Sequence, residues 1–441
     1  MSERPATALA AAALKAAMAT AIAMTASAAL AQPLPFESED MHLGPATCAT
    51  SVCHGKVAPD ETSNVLLNEY RTWSNDDYHS RAYTVLRSEE SRIMAERLGL
   101  GNATTAQVCL DCHADNVPAE RRGEKFQISD GVGCEACHGG AERWIESHAE
   151  EGATHADNLA RGMYPTEQPE ARARLCLSCH VGTEHRFADH DIMAAGHPRM
   201  SFELETFTVN QPAHYVIDED YLERKGEIGS VEMWVTGMVM KAERQLDLIR
   251  SDRFRGHGLF PELAFFDCHA CHHPMDELRM HSTPVTRTLP PGVVRLDDSS
   301  FQMLIAIADA LDDPTGERLR ARTRSLHGAT VQGRDALRGA AGELAGAVDD
   351  LRRLVAAHDY SARQLREIRE LLLERAASGR YGDFTSAEQA FLAVETLSIV
   401  LGDSGAVGAA LDAWFETLAN EHDFDPGRYA SVARRVGAGF Q

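Results

Sequence analysis

This 441-residue sequence is short of aromatic residues, long apolar runs and positive charge. Phe, Trp and Tyr make up 6% of the chain, and the alternation typical of strands is rare. After residue 31 no segment offers the roughly 18 consecutive apolar residues of a membrane span, so we expect none in the mature protein. Lys and Arg number 43 against 66 Asp and Glu, a formal net charge of −23. This charge disfavours nucleic acid and anionic membranes, and favours partner proteins with basic docking patches.

No cysteine follows residue 271, and every cysteine in the chain belongs to one repeated pattern. The pattern is Cys-x-x-Cys-His, the attachment sequence for c-type haem. Each pair of thiols closes two thioethers to one porphyrin, and the adjacent histidine becomes the proximal ligand of the iron. The five sites, of which the first has a wider gap, consist of Cys48, Cys53 and His54; Cys109, Cys112 and His113; Cys134, Cys137 and His138; Cys176, Cys179 and His180; and Cys268, Cys271 and His272.

Ten cysteines could instead form a disulfide framework or bind structural zinc. Neither requires a histidine directly after the second cysteine, whereas all five pairs have one although histidine is only 20 of 441 residues. The sequence therefore predicts five covalently bound haem c groups. Five porphyrins filling the interior also explain how a chain so poor in aromatic residues forms a core.

The N-terminus predicts export. Arg4 and Lys15 precede a small apolar run over residues 16–30, and Ala29-Leu30-Ala31 has the form that signal peptidase cleaves. The alternative, a retained anchor, is disfavoured because the run is short and rich in alanine. Covalent haem attachment takes place outside the bacterial cytoplasm, so we expect a cleaved signal peptide over residues 1–31 and a periplasmic protein.

Several segments beyond the bare motifs resemble one known family. They are the Trp73-x5-His79 segment, Cys134 to Gly139, Ala195 to Glu203 with its Gly-His-Pro-Arg core, and Phe266 to Pro274. Together they resemble the multihaem cytochromes related to cytochrome c-554, a family of electron carriers, over roughly residues 40–280. The chain departs from the tetrahaem prototype in its fifth haem site, its wide first site and its long C-terminal extension, so haem numbering and ligand pairing do not transfer as a whole.

The sixth ligands of the five irons are expected among the twelve histidines that lie between residues 42 and 281 and are not proximal. The resemblance implies an axial role for His79. The others follow from position: His148 and His190 each come ten residues after a proximal histidine, and His197 precedes a stiffening proline. The full set of candidates is His79, His148, His190, His197, His42 and His155.

Other residues are weaker candidates for ligation. Met233, Met238 and Met240 lie on a predicted helix from Val231 to Ile249, where core packing is the more common role of methionine. His273 is too close to His272 in sequence to face it across one iron. Five further histidines are expected in core or surface roles: His185, His214, His257, His269 and His281.

Residues 281–297 contain Pro284, Pro290 and Pro291 without a regular period and predict a linker. After it, apolar residues recur at helical spacing from Leu337 to Val355, and Ser361 and Ser386 have capping-box partners three residues on. We expect a mainly α-helical protein with long loops: a multihaem cytochrome c core over residues 32–290 and a C-terminal bundle of about five helices over residues 291–441. The bundle is expected to brace the core or to form a docking or dimerisation surface.

The predicted function is electron transfer between redox partners, because six-coordinate irons change valence with little rearrangement. The alternative is a haem enzyme acting on nitrite, nitric oxide or hydroxylamine at one five-coordinate iron. The Cys-x-x-Cys-Lys site typical of pentahaem nitrite reductases is absent from the sequence. A third possibility is a structural subunit of a larger redox assembly.

Overall fold

The computed structural model describes residues 32–60, 62, 65–255, 261–273, 283–287, 289–290, 292–311, 313–356 and 358–440. The predicted signal peptide, with His257 and His281, lies outside them. The expectation of a mainly α-helical protein is confirmed: within the described ranges, β-pairing is limited to two isolated bridges, His42 with Arg122 and Phe266 with Leu296.

The described residues between 32 and 229 form short helices separated by loops. Polar caps and glycines keep these helices short; Asp77 and Ser88, for example, accept hydrogen bonds from backbone N–H groups at helix starts. The α-helices are α1 (Pro45–Cys48), α2 (Glu69–Asp76), α3 (Ala82–Val85), α4 (Glu89–Arg97), α5 (Gln107–His113), α6 (Cys134–His138), α7 (His155–Ala160), α8 (Pro169–His180), α9 (His190–Ala194), α10 (Leu204–Asn210) and α11 (Glu219–Lys225). Single 3₁₀ turns lie at Tyr78–Arg81, Ala119–Arg121, Ile128–Asp130, Ser147–Ala149, Arg253–Arg255, Leu263–Phe265 and Cys268–Ala270.

One long helix, α12 (Ser230–Arg250), joins the two halves of the molecule. It confirms the helix predicted from Val231 to Ile249. Its buried face, which includes Trp234, Met238 and Leu246, packs against α8 and α10 on one side and against the C-terminal helices on the other. The burial of Met238 in this core agrees with a packing role.

The C-terminal part has seven α-helices over its described residues, more than the five expected. They are α13 (Ser299–Leu311), α14 (Asp313–Ala329), α15 (Arg334–Val355), α16 (Ala362–Ala377), α17 (Phe384–Leu401), α18 (Ser404–Phe415) and α19 (Pro426–Gly439), with 3₁₀ turns at Glu416–Leu418 and Glu421–Asp423. The predicted apolar stripe of α15 is buried from Leu337 to Leu351.

The hydrophobic core continues across the predicted boundary at residue 290. One cluster of buried side chains runs from Phe187 through α12 to Val436. In the predicted linker, Val285 and Leu296 are each 1% exposed, and Arg295 pairs with both Asp267 and Asp383. The C-terminal helices are therefore packed directly on the segment that carries the last cysteine pair.

Two helix caps test the sequence interpretation. The capping box of Ser361 is confirmed, since its hydroxyl accepts from the Gln364 N–H and Gln364 bonds back to the Ser361 N–H. The cap predicted at Ser386 is wrong. α17 begins one turn earlier because the Asp383 carboxylate accepts from the Ser386 N–H at 2.7 Å and so becomes the N-cap.

Among the described helices, α17 is long and apolar enough by composition to cross a membrane. However, 61% of it is buried inside the fold, where it contacts α12, α13, α16 and α18. This burial is that of a core helix.

Candidate functional site

Each of the five motif histidines faces a second histidine from a distant part of the chain. The partners come from loops or short helices rather than from another motif. The ring centroids are 6.1 Å apart for His54 and His148, 6.3 Å for His180 and His79, 6.3 Å for His113 and His197, 6.2 Å for His138 and His214, and 6.2 Å for His272 and His190.

This repeated separation is the one expected of two imidazoles that ligate the same metal from opposite sides. Two metal–nitrogen bonds of about 2.0 Å, plus about 1.1 Å from each ligating nitrogen to its ring centroid, give roughly 6.2 Å. Rings in ordinary aromatic contact spread over a wider range, about 4.5–7 Å, so what distinguishes these pairs is the repetition of one value at all five motif histidines. The five distances span only 0.2 Å, from 6.1 to 6.3 Å, so the five pairs form one class of site.

Hydrogen bonds orient several of these rings through Nδ1. His54 is 2.9 Å from a Glu69 carboxylate oxygen and His79 is 2.9 Å from that of Asp77. Three rings lie close to backbone carbonyls: His113 to Ala82 at 2.9 Å, His148 to Ile145 at 2.6 Å and His197 to Pro198 at 2.8 Å. A proton held on Nδ1 leaves the Nε2 lone pair for a metal, as in most metal-binding histidines.

Burial sets the protonation of the innermost rings. Desolvation lowers the pKa of His138 to about 3 and that of His180 to about 4, because the charged imidazolium loses its hydration. The pKa values of His113 and His214 are lowered for the same main reason. A neutral imidazole is the form that ligates iron.

The ten thiols are all free and are placed by short structural elements. In the second, third and fourth sites both cysteines and the histidine lie on one helix, α5, α6 or α8. Thiols of different sites also meet: Cys48 lies against Cys134, and Cys112 lies against Cys179. The first and third sites are therefore neighbours, and so are the second and fourth.

The segment that resembles the c-554-like family is anchored to the third site. The Trp73 indole N–H donates to the Val132 carbonyl at 3.0 Å, and the Val132 N–H donates to the His79 carbonyl at 3.0 Å. Gly139, directly after His138, has φ 84°, and a Cβ there would lie 2.9 Å from the Gly162 carbonyl oxygen. Only glycine therefore fits this turn without strain.

Two sequence-predicted ligands lie outside the five pairs. His42 is fully buried, with Nδ1 2.7 Å from Asp115 and Nε2 3.3 Å from the Pro35 carbonyl, so both its nitrogens already have protein partners. His155 Nε2 lies 2.9 Å from a Glu167 oxygen. The structure places neither residue opposite a motif histidine.

His214, which was expected in a core or surface role, takes the remaining position opposite His138. Two features of the sequence could have indicated a ligand role for His214. Five proximal histidines need five partners, and Pro212 precedes it closely, as Pro198 follows His197. His79, His148, His190 and His197 are the four predicted sixth ligands that the structure brings to a motif histidine.

The residues at each site fit one covalently bound haem. Two free thiols lie beside one histidine, and the ring of a second histidine lies at the distance expected if one metal ion stood between the two rings. Residues 47–139 match the family model described as cytochrome c554 and c-prime. No curated protein and no solved structure matches the chain.

Proposed function

We propose that this chain, whose residues 47–139 match the family model described as cytochrome c554 and c-prime, is an exported pentahaem electron carrier. Each haem is held by one of the five cysteine pairs. The residues that would hold the five irons are His54 with His148, His113 with His197, His138 with His214, His180 with His79, and His272 with His190.

The five matched ring separations carry this proposal. A haem iron between two histidines has no open position for a small-molecule substrate, and two histidine ligands avoid the raised potential of a Met/His pair. When bound, haem supplies one-electron redox chemistry at its iron. The paired histidines would hold that iron, and the hydrogen bonds at Nδ1 of His54, His79, His113, His148 and His197 orient their rings. An electron carrier needs this arrangement, whereas a haem enzyme needs one face left open.

The adjacency of the sites supports transfer within one molecule. The contacts of Cys48 with Cys134 and of Cys112 with Cys179 bring the cofactor attachment points of different sites together. Cys53 and Cys271 are the two exposed cysteines, so the first and last sites open to solvent. We infer that electrons enter and leave at these two ends.

The surface and the chemistry suggest where the carrier works. Its net charge of −23 favours redox partners with basic docking patches over acidic ones. The predicted signal peptide and the requirement for haem attachment outside the cytoplasm both support a periplasmic location.

Electron paramagnetic resonance of the oxidised, haem-loaded protein tests the proposal. We expect low-spin signals from all the haems and no change when nitrite or hydroxylamine is added. A high-spin signal that shifts with either compound would reveal an open iron, overturn the pairing at that site and favour the enzyme alternative.

A further inference from the structure

A sixth cluster of metal-binding side chains borders the last haem site and includes none of the ten paired histidines. His269, Glu421 and His422 each offer a donor atom, and these atoms all lie within 4.8 Å of one another. His269 comes from the 3₁₀ turn Cys268–Ala270, whereas the other two come from the 3₁₀ turn Glu421–Asp423. The cluster therefore joins the last haem site to the C-terminal helices.

The two rings of this cluster have the geometry of the haem pairs but no means of holding haem. The His269 and His422 centroids are 6.4 Å apart, close to the five separations described above. All ten cysteines of the chain belong to the five haem motifs, so none remains to attach a sixth porphyrin. A bare metal ion is the occupant that two imidazoles and one carboxylate fit.

The surrounding contacts hold the three donors in place. The buried His269 is fixed through its backbone N–H, which donates to Asp267 at 3.1 Å, and its ring packs at 6.0 Å from that of Phe384. The His422 N–H donates to Asn420 at 3.0 Å. Arg199 donates to Glu421 Oε2 at 2.7 Å, which leaves the other carboxylate oxygen for a metal.

The local charge permits a cation despite this arginine. Arg199 is shared with Glu388 at 3.3 Å, so Arg199, Glu388 and Glu421 together carry one negative charge. In a tetrahedral zinc site neighbouring ligand atoms are about 3.4 Å apart. From 4.8 Å, each of two donors would have to move about 0.7 Å to reach that spacing, which is within the reach of the exposed His422 turn.

We propose that His269, His422 and Glu421 form a binding site for a divalent transition metal of the zinc class. Two histidines and one carboxylate are a recurring zinc ligand set, with a fourth position for water. The bound ion links residues about 150 positions apart in the sequence, and so fastens the C-terminal helices to the segment that carries the last haem. This site is independent of the electron-carrier proposal.

Isothermal titration of Zn²⁺ into haem-loaded, chelator-treated protein tests the site. We expect one zinc ion per chain, and at least tenfold weaker binding in His422→Ala and in Glu421→Gln, in line with the 10- to 100-fold effects of disturbing a metal's ligand environment. His269 is left unchanged because it lies inside a haem motif. His185→Ala removes an exposed histidine elsewhere and is the matched control.

A second measurement follows unfolding with and without Zn²⁺. The metal should raise the melting temperature of the wild type and of His185→Ala, because it binds only the folded arrangement, and should leave that of His422→Ala unchanged. No zinc binding at 100-fold molar excess over protein, or equal affinity in wild type and His422→Ala, would overturn the proposal. Neither result would change the expected low-spin haem signals.

Discussion

Replacing His214 by alanine removes the one proposed iron ligand that was found from the structure and not from the sequence. Its partner His138 is partly buried, and the two rings are 6.2 Å apart. Cys134, Cys137 and His138 are untouched, so the haem content should not change. One iron of five should lose its sixth ligand, so about one fifth of the low-spin signal should become high-spin.

The assay is electron paramagnetic resonance of the oxidised variant, with optical spectra of the same sample. Added imidazole should restore the low-spin state, because it enters the space left by the missing ring. The matched control is His155→Ala, which removes a histidine that the sequence also proposed as a ligand but whose ring lies against Glu167. Its spectrum should equal that of the wild type.

Two results would refute the pairing. An unchanged spectrum in His214→Ala would mean that His138 has another partner or none. A high-spin component in His155→Ala would mean that the sequence-based choice of His155 was right and that the ring separations are a poor guide to ligation.

Three further predictions concern the protein framework. Leu344→Ala, at a fully buried position of α15, should cost about 2–5 kcal/mol in denaturant unfolding, and a cost below 1 kcal/mol would contradict the core described here. Gly139→Ala should cost about 1–3 kcal/mol in the same assay because its backbone conformation is almost restricted to glycine; no loss would contradict that strain. Burial opposes ionisation of Asp298, but His327 and Arg295 outweigh it and lower its pKa. The ionised Asp298 therefore stabilises the folded protein fully above the unfolded pKa of about 3.9, and this contribution is lost as pH falls through the lower folded pKa. Between pH 5 and 2, the free energy of unfolding of Asp298→Asn should fall less than that of the wild type. Equal losses would contradict this.

The haem attachment residues are predictable from the sequence because their chemistry is local. Two thiols and one histidine within five or seven residues suffice to recognise each site. The distal partners are not local: His148 follows His138 by ten residues, yet its ring faces that of His54. Position alone suggested that His148 was a ligand, but only the folded chain shows which proximal histidine it faces.

Three local patterns that meet a different environment in the folded chain have similar physical explanations. His42 is of a residue type that ligates iron, but in the folded chain its ring lies against the carboxylate of Asp115, which is 73 residues away in the sequence. Ser386 has a capping-box partner in the sequence, but Asp383 lies one turn earlier and takes the N-cap. The boundary predicted at residue 290 follows a real change in composition, yet the apolar face of α12 is buried against helices beyond it. In each case a contact formed in the folded chain outweighed a local pattern.

The central claim is that five haems are covalently attached to one exported chain. Intact-mass spectrometry of the protein purified from the periplasm tests it most directly. We predict a chain that begins at Gln32 and carries the mass of five haems. A mass equal to the bare polypeptide, or to fewer than five haems with the remaining cysteines joined as disulfides, would contradict it.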